Sequence, residues 1–75
     1  MSDEALIRVA KNIRHLRLEK KLTQKQLAKK AKMHPSYISK IENAKLDVFL
    51  TTLFKLANAL DASLKELVKQ KELEK

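Results

Sequence analysis

The chain contains no glycine and only one proline, Pro35. Glycine makes up about 7% of ordinary proteins, so a chain of 75 residues would normally carry about five. Tight hairpins and glycine-rich phosphate loops need residues that adopt positive φ, and this composition makes both implausible. Helix-favouring Leu, Lys, Ala and Glu dominate, and β-branched or aromatic runs with a period of two are missing. The sequence therefore predicts an all-α fold.

The length of the chain and its lack of cysteine exclude further classes of protein. We expect residues 1–75 to form a single small domain without a large catalytic cleft, and so no enzyme. Thiol chemistry is absent, and His15 and His34 lie on different predicted helices with no third ligand, so we expect neither metal nor cofactor. No apolar run is longer than the three residues found at 48–50, and the acidic start lacks the basic region of a signal peptide. We expect a cytoplasmic protein without a membrane segment.

Positive charge is concentrated in the middle of the sequence. The chain has 17 Lys and Arg against 9 Asp and Glu, a net charge of +8. Residues 20–45 hold eight lysines and a single acid, Glu42, which is a net +7, while residues 46–75 balance to zero. Such a local excess favours an anionic partner.

Apolar periodicity and capping residues predict five helices. Thr23 with Gln26, and Ser63 with Glu66, are spaced as capping boxes, in which each side chain binds the backbone N–H of the other. Pro35 suits the first position of a helix because its fixed φ is helical and an N–H there would have no partner. The predicted helices cover about residues 4–20, 24–31 and 35–42, a fourth that starts between 47 and 51, and a fifth that opens after residue 63 and grows polar towards Lys75.

The second and third predicted helices form a helix-turn-helix. Only residues 32–34 connect them, with His34 as the N-cap of the third helix. Ile38 and Ile41 would face the core, and the opposite side carries a polar stripe at i, i+3, i+4 and i+7 spacing. The stripe consists of Ser36, Ser39, Lys40 and Asn43.

Three segments of the sequence resemble the phage-repressor and Cro-like helix-turn-helix family, also called the XRE family. They are LTQKQLA at 22–28, PSYISKIEN at 35–43 and LFKLANAL at 53–60. The likeness covers about residues 6–68 and matches a dozen positions in type and spacing. It implies a compact five-helix lambda-repressor-like DNA-binding domain with its helix-turn-helix at about 24–42.

The resemblance also implies roles for individual residues. The third helix would enter the major groove of double-stranded DNA. Residues facing base edges would be His34, Pro35, Ser36, Ser39 and Lys40. Residues contacting phosphates would be Thr23, Gln24, Tyr37, Asn43 and Lys45. Arg17 would pair with Glu42, between the first and third helices.

One departure from the family concerns the helix ends. Members commonly carry glycine at four positions where this chain has Lys21, Lys32, Ala44 and Asp61. A left-handed backbone costs a residue with a Cβ about 1–2 kcal/mol. Either the turns are reshaped, or the helices compensate for that cost.

Apolar residues that the monomer does not obviously need predict a homodimer. Leu46, Val48 and Phe49 lie between two helices that have their own core residues, and we expect them near the surface. With Phe54 and Val68 they would form the interface of a two-fold dimer. A two-fold dimer implies a roughly palindromic operator. The alternative is that Val48 and Phe49 fold inward as the first turn of the fourth helix.

Two functions remain open from the residues alone. The first is a homodimeric, sequence-specific transcription regulator of double-stranded DNA, such as a small repressor, an antitoxin or a restriction-modification controller, with an unidentified protein partner such as a toxin or a polymerase. The second is a protein-interaction module, or an engineered glycine-free scaffold, that keeps the helix-turn-helix fold but binds no operator.

Overall fold

The computed structural model describes residues 3–70, which form five α-helices and no β-strand. The all-α prediction and the number of helices are confirmed. The second and third helices have the predicted bounds, the first differs by one residue at each end, and the fourth begins inside its predicted window. The helices are α1 (Asp3–Glu19), α2 (Gln24–Ala31), α3 (Pro35–Glu42), α4 (Leu50–Ala59) and α5 (Leu64–Val68).

All five helices contribute to one core. α2 packs against α3 and α4, while α1 packs against α3 and α5, and α4 also contacts α5. Ala28 is fully buried, and its small side chain lets α2 lie close to its neighbours. The largest side chains with almost no exposed surface are Ile13, Leu27, Ile38, Ile41, Leu56, Leu60 and Leu67.

The fifth helix is shorter than expected, because α5 ends at Val68 and Lys69 is already extended. The Asn12 side chain donates from Nδ2 to the carbonyls of Leu67 and Lys69, both at 2.9 Å. These bonds tie the end of α5 to α1 and satisfy carbonyls that have no partner within a helix. The predicted continuation is wrong for residues 69 and 70, and residues 71–75 lie outside the described part of the chain.

Both predicted capping boxes form. The Gln26 amide donates to Thr23 Oγ1 at 3.0 Å, and the Thr23 amide donates to Gln26 Oε1 at 2.9 Å. Ser63 and Glu66 make the same reciprocal pair at the start of α5. The backbone N–H of Ser63 lowers the pKa of the Glu66 carboxyl, because that hydrogen bond favours the charged form.

Four helices are followed, within two residues of their last position, by a left-handed residue that is not glycine. Lys21, Lys32, Ala44 and Asp61 have φ between 54° and 59°. In each case the left-handed residue and its successor donate to carbonyls in the last turn, as Lys32 does to Lys29 at 3.2 Å and Met33 does to Ala28 at 2.8 Å. The turns are therefore not reshaped, and the helices carry the conformational cost.

Restoring glycine at one of these ends is expected to stabilise the protein. Lys32→Gly should raise the free energy of unfolding by about 1 kcal/mol, because glycine adopts the left-handed conformation without a Cβ clash. Lys29→Gly is the matched control, since it removes a lysine from the same turn at a right-handed helical position. That control should lower the stability by about 1 kcal/mol in urea denaturation. Equal shifts of the same sign would contradict the prediction.

The segment before α4 separates the two expectations for Val48 and Phe49. Val48 is buried in the core, and Leu46 is partly buried against it, so their predicted surface position is wrong for Val48 and only partial for Leu46. Phe49 is 74% exposed, which also rules out the alternative that both residues fold inward. The backbone is extended at Phe49, and neighbouring side chains in extended backbone point to opposite sides.

Candidate nucleic-acid interface

The helix-turn-helix presents one side of α3 to solvent. Ile38 and Ile41 are buried and hold α3 against the core. Tyr37 is only partly exposed and packs against the core cluster. The polar stripe predicted from the sequence faces away from these residues, and its exposed members include Ser36 and Lys40.

The five predicted base-facing residues lie at the N-terminal end and along one side of α3. His34, Ser36 and Lys40 are exposed, while Pro35 and Ser39 are partly exposed. His34 caps the helix, because its Nδ1 accepts from the Ser36 backbone N–H at 3.1 Å. The structure therefore brings these residues together on one surface, with Pro35 in the first helical position.

The predicted phosphate-contacting residues lie at two places beside this surface. Thr23 and Gln24 are at the start of α2, where the helix has N–H groups without intrahelical partners. Asn43 and Lys45 are exposed just after α3, where Asn43 Nδ2 donates to the Ser39 carbonyl at 2.8 Å. Tyr37 lies between them in the chain.

A buried ionic network holds the helix-turn-helix against α1. Arg17 donates from Nε to Glu42 Oε2 at 2.7 Å and from Nη2 to Glu42 Oε1 at 3.0 Å. The side chains of Arg17 and Glu42 are 9% and 2% exposed. Two-point pairing of this kind fixes orientation as well as distance. It joins α1 directly to the last residue of α3.

Two further groups complete the network, and sequence reasoning did not identify their roles. Arg17 Nη1 donates to the Leu22 carbonyl at 2.8 Å, and Gln24 Nε2 donates to Glu42 Oε1 at 3.0 Å. Gln24 was expected to contact phosphate, but its side-chain amide already serves Glu42. The available sequence signal was that Glu42 is the single acid among residues 20–45.

The network keeps the single acidic side chain of residues 20–45 away from the exposed surface. The eight lysines of residues 20–45 are all exposed. The Glu42 side chain is buried and paired with Arg17, so it does not offset the lysine charges at the surface. The central part of the chain therefore presents almost unopposed positive charge around α2 and α3, as expected for a surface that binds a polyanion.

Within residues 3–70 no group of three or more His, Cys, Asp or Glu side chains is arranged to hold a metal ion. In that same range no helix combines the length and the apolar character needed to cross a membrane.

Comparison with known proteins identifies a family. The helix-turn-helix family model HTH_3 matches residues 13–67. The control protein C.SmaI of Serratia marcescens is 37% identical over 65 residues, which cover 87% of this chain and 77% of that protein. The immunity repressor of Bacillus phage phi105 is 39% identical over 65 residues, covering 87% of this chain but only 45% of the repressor. The chain thus spans less than half the length of the phage protein.

A solved structure agrees with these relatives. The restriction-modification controller protein C.Esp1396I, as a tetramer in complex with its natural 35 base-pair operator, superposes with a TM-score of 0.76. It is 32% identical to this chain, and the match covers 87% of this chain and 96% of that one.

Proposed function

The chain belongs to the helix-turn-helix family HTH_3 of DNA-binding transcription regulators and is not an enzyme, and on that premise we propose that it represses transcription by binding an operator as a homodimer. In this role residues 1–75 would act as one domain in the cytoplasm. The phage immunity repressor supports repression, and the controller protein bound to its operator supports duplex DNA as the partner.

One observation carries the proposal for this chain in particular. The exposed polar stripe of α3 lies within residues 20–45, which carry a net charge of +7. The single acid of that segment, Glu42, has a buried side chain that is paired with Arg17. The Arg17–Glu42 pair would also stabilise a scaffold that binds no DNA, but here it leaves the eight exposed lysines of the segment unopposed at the surface. A surface that binds phosphates benefits, because an exposed carboxylate there would repel the DNA backbone.

In the proposed complex α3 lies in the major groove. Lys40 donates to guanine O6 or N7, and His34 and Ser36 reach base edges near the start of the helix. Lys45 and Asn43 on one side, and the first turn of α2 with Thr23 on the other, contact phosphates and set the depth of insertion.

Two lysine variants test this division of roles. Lys40→Ala should remove about 1–3 kcal/mol of discrimination between the preferred operator and a sequence altered at one base pair. Lys45→Ala should weaken binding to all duplexes by a similar factor. It should also reduce the magnitude of the slope of log affinity against log salt by about one, because one phosphate contact is lost. Fluorescence anisotropy with matched and altered duplexes measures both. The variants remove the same charge, so identical effects on the two duplexes would contradict the proposed roles.

We further propose that the dimer forms through an apolar patch on α4, here called the α4 patch, which consists of Phe49, Leu50 and Phe54. These side chains are 74%, 59% and 49% exposed. Leu50 and Phe54 are four residues apart and so share one side of α4, and Leu50 was not among the residues expected from the sequence. Val68, at 39% exposed, is the remaining candidate from α5, while Val48 is buried in the core and is not part of the patch. A two-fold dimer would hold two copies of α3 about 34 Å apart.

Phe49→Asp tests the dimer. Because Phe49 is exposed in the monomer, the variant should keep its helicity while its dimer dissociation constant rises at least about tenfold, since an apolar contact becomes a buried charge. Operator affinity should fall in parallel. Ile7→Asp is the control, because it places the same charge at an exposed apolar residue on α1. Sedimentation equilibrium that finds the unmodified protein monomeric at high concentration would exclude the dimer.

A further inference from the structure

The His34 and Ser36 side chains are joined by a hydrogen bond at the start of α3. His34 Nδ1 lies 3.1 Å from the backbone nitrogen of Ser36 and 2.8 Å from its Oγ. Both side chains are exposed on the surface proposed to face base edges. The two contacts share one ring nitrogen, and this determines where the hydrogen atoms lie.

The backbone contact fixes the tautomer of neutral His34. A backbone N–H is always a donor, so Nδ1 must accept and cannot carry a hydrogen. The hydrogen of the neutral ring is therefore on Nε2. Ser36 Oγ is only 2.8 Å from the same unprotonated nitrogen, so its hydroxyl hydrogen must also point at Nδ1, because two lone pairs would otherwise repel at that distance.

We propose that His34 orients the Ser36 hydroxyl so that Ser36 acts on DNA as a hydrogen-bond acceptor while His34 Nε2 acts as a donor. This inference rests on the proposed function. A serine with a free hydroxyl can donate or accept and so discriminates poorly between bases. With its hydrogen held by Nδ1, Ser36 can only accept.

An acceptor at this position selects for exocyclic amino groups. In the major groove these are N6 of adenine and N4 of cytosine, whereas guanine and thymine offer acceptors or a methyl group. The base next to Ser36 is therefore adenine or cytosine. The donor on His34 Nε2 contacts a neighbouring acceptor, namely a purine N7, guanine O6 or thymine O4. His34 is thus a positioning residue for Ser36 as well as a direct contact.

The test starts from duplexes selected by the unmodified protein out of a randomised pool. The position read by Ser36 is the one whose preference disappears with Ser36→Ala. Replacing that base by its analogue without the amino group, purine for adenine or 2-pyrimidinone for cytosine, should lower the affinity of the unmodified protein about tenfold. The same replacement should leave the affinity of Ser36→Ala unchanged within about twofold.

Variants of His34 separate orientation from helix capping. His34→Asn keeps a capping acceptor for Ser36 and should retain the preference for the amino group. His34→Ala releases the hydroxyl, so its affinities for the duplex with the natural base and for the duplex with the analogue should lie within about twofold of each other. Ser63→Ala removes the cap of a helix that carries none of the proposed DNA contacts, and it should leave the base preference intact, so a change there would assign the effect to stability.

Selection of guanine or thymine opposite Ser36, or equal binding of the analogue, would overturn this inference while leaving operator binding in place. A protein that enriches no sequence at all would instead contradict the proposed function.

Discussion

Arg17→Ala is expected to lower the free energy of unfolding by about 3 kcal/mol or more. The substitution leaves the Glu42 carboxylate buried with only the Gln24 amide as a side-chain partner, and an unpaired buried charge is strongly destabilising. A domain of this size has a total stability of about 4–11 kcal/mol, so the loss is a large fraction of it. The melting temperature should fall by at least about 12 °C. Urea and thermal denaturation measure both quantities.

The control for this prediction is Arg14→Ala. Arg14 is exposed on the same helix, so its removal should change the stability by less than about 0.5 kcal/mol. A double variant, Arg17→Met with Glu42→Leu, removes both charges and should recover much of the loss, because the desolvation of both ions disappears with them. If the two arginine variants have the same small effect, or if a double-mutant cycle finds no coupling, the network does not have the stabilising role assigned to it.

The affinity for duplex DNA of random sequence is expected to fall about 10²–10³-fold for each bound protomer when the salt concentration is raised from about 50 to about 200 mM. Each protomer is expected to contact about 4–6 phosphates, and each neutralised phosphate contributes a slope of about −0.9 in a plot of log affinity against log salt. The exposed lysines around α2 and α3 supply the positive charge. Anisotropy titrations at four or five salt concentrations give the slope.

Charge-matched variants show whether the slope comes from the proposed surface. Lys45→Gln should reduce its magnitude by about one unit, whereas Lys65→Gln, on α5 outside the proposed interface, should leave it unchanged. A shallow slope, or an equal change in both variants, would place the interaction elsewhere on the protein.

The helices could be predicted from the sequence because their signals are local. Thr23 with Gln26, Ser63 with Glu66 and Pro35 mark starts whose hydrogen bonds lie within three or four residues, and all form as expected. The end of α5 depends instead on Asn12, more than fifty residues away in sequence. No local pattern could have revealed that contact.

The helix ends illustrate a second limit of sequence reasoning. The absence of glycine left open whether the turns are reshaped or the helices compensate for the cost, and Lys21 and Ala44 adopt the left-handed conformation that glycine would take. Local propensity disfavours it, but the packing of several helices on one core outweighs about 1 kcal/mol at each turn. Composition alone cannot show whether packing outweighs such a cost, because the packing energy depends on the whole fold.

The candidate site was predictable in its positions rather than in its bonding. The Arg17–Glu42 pair was expected from family resemblance and from the isolation of Glu42, and the structure places the two in contact. The engagement of Gln24 with Glu42, and the shared nitrogen of His34, depend on side-chain geometry that spacing does not specify. The exposure of Phe49 and the burial of Val48 likewise could not be predicted without knowing where α4 begins.

α3 is proposed to read DNA sequence, and selection from a pool of randomised duplexes tests this claim. We expect enrichment of an inverted repeat whose half-sites are centred about 10 base pairs apart, with Lys40→Ala losing preference at a guanine in each half-site. Recovery of a pool that stays random, with Lys40→Ala indistinguishable from the unmodified protein, would contradict the claim.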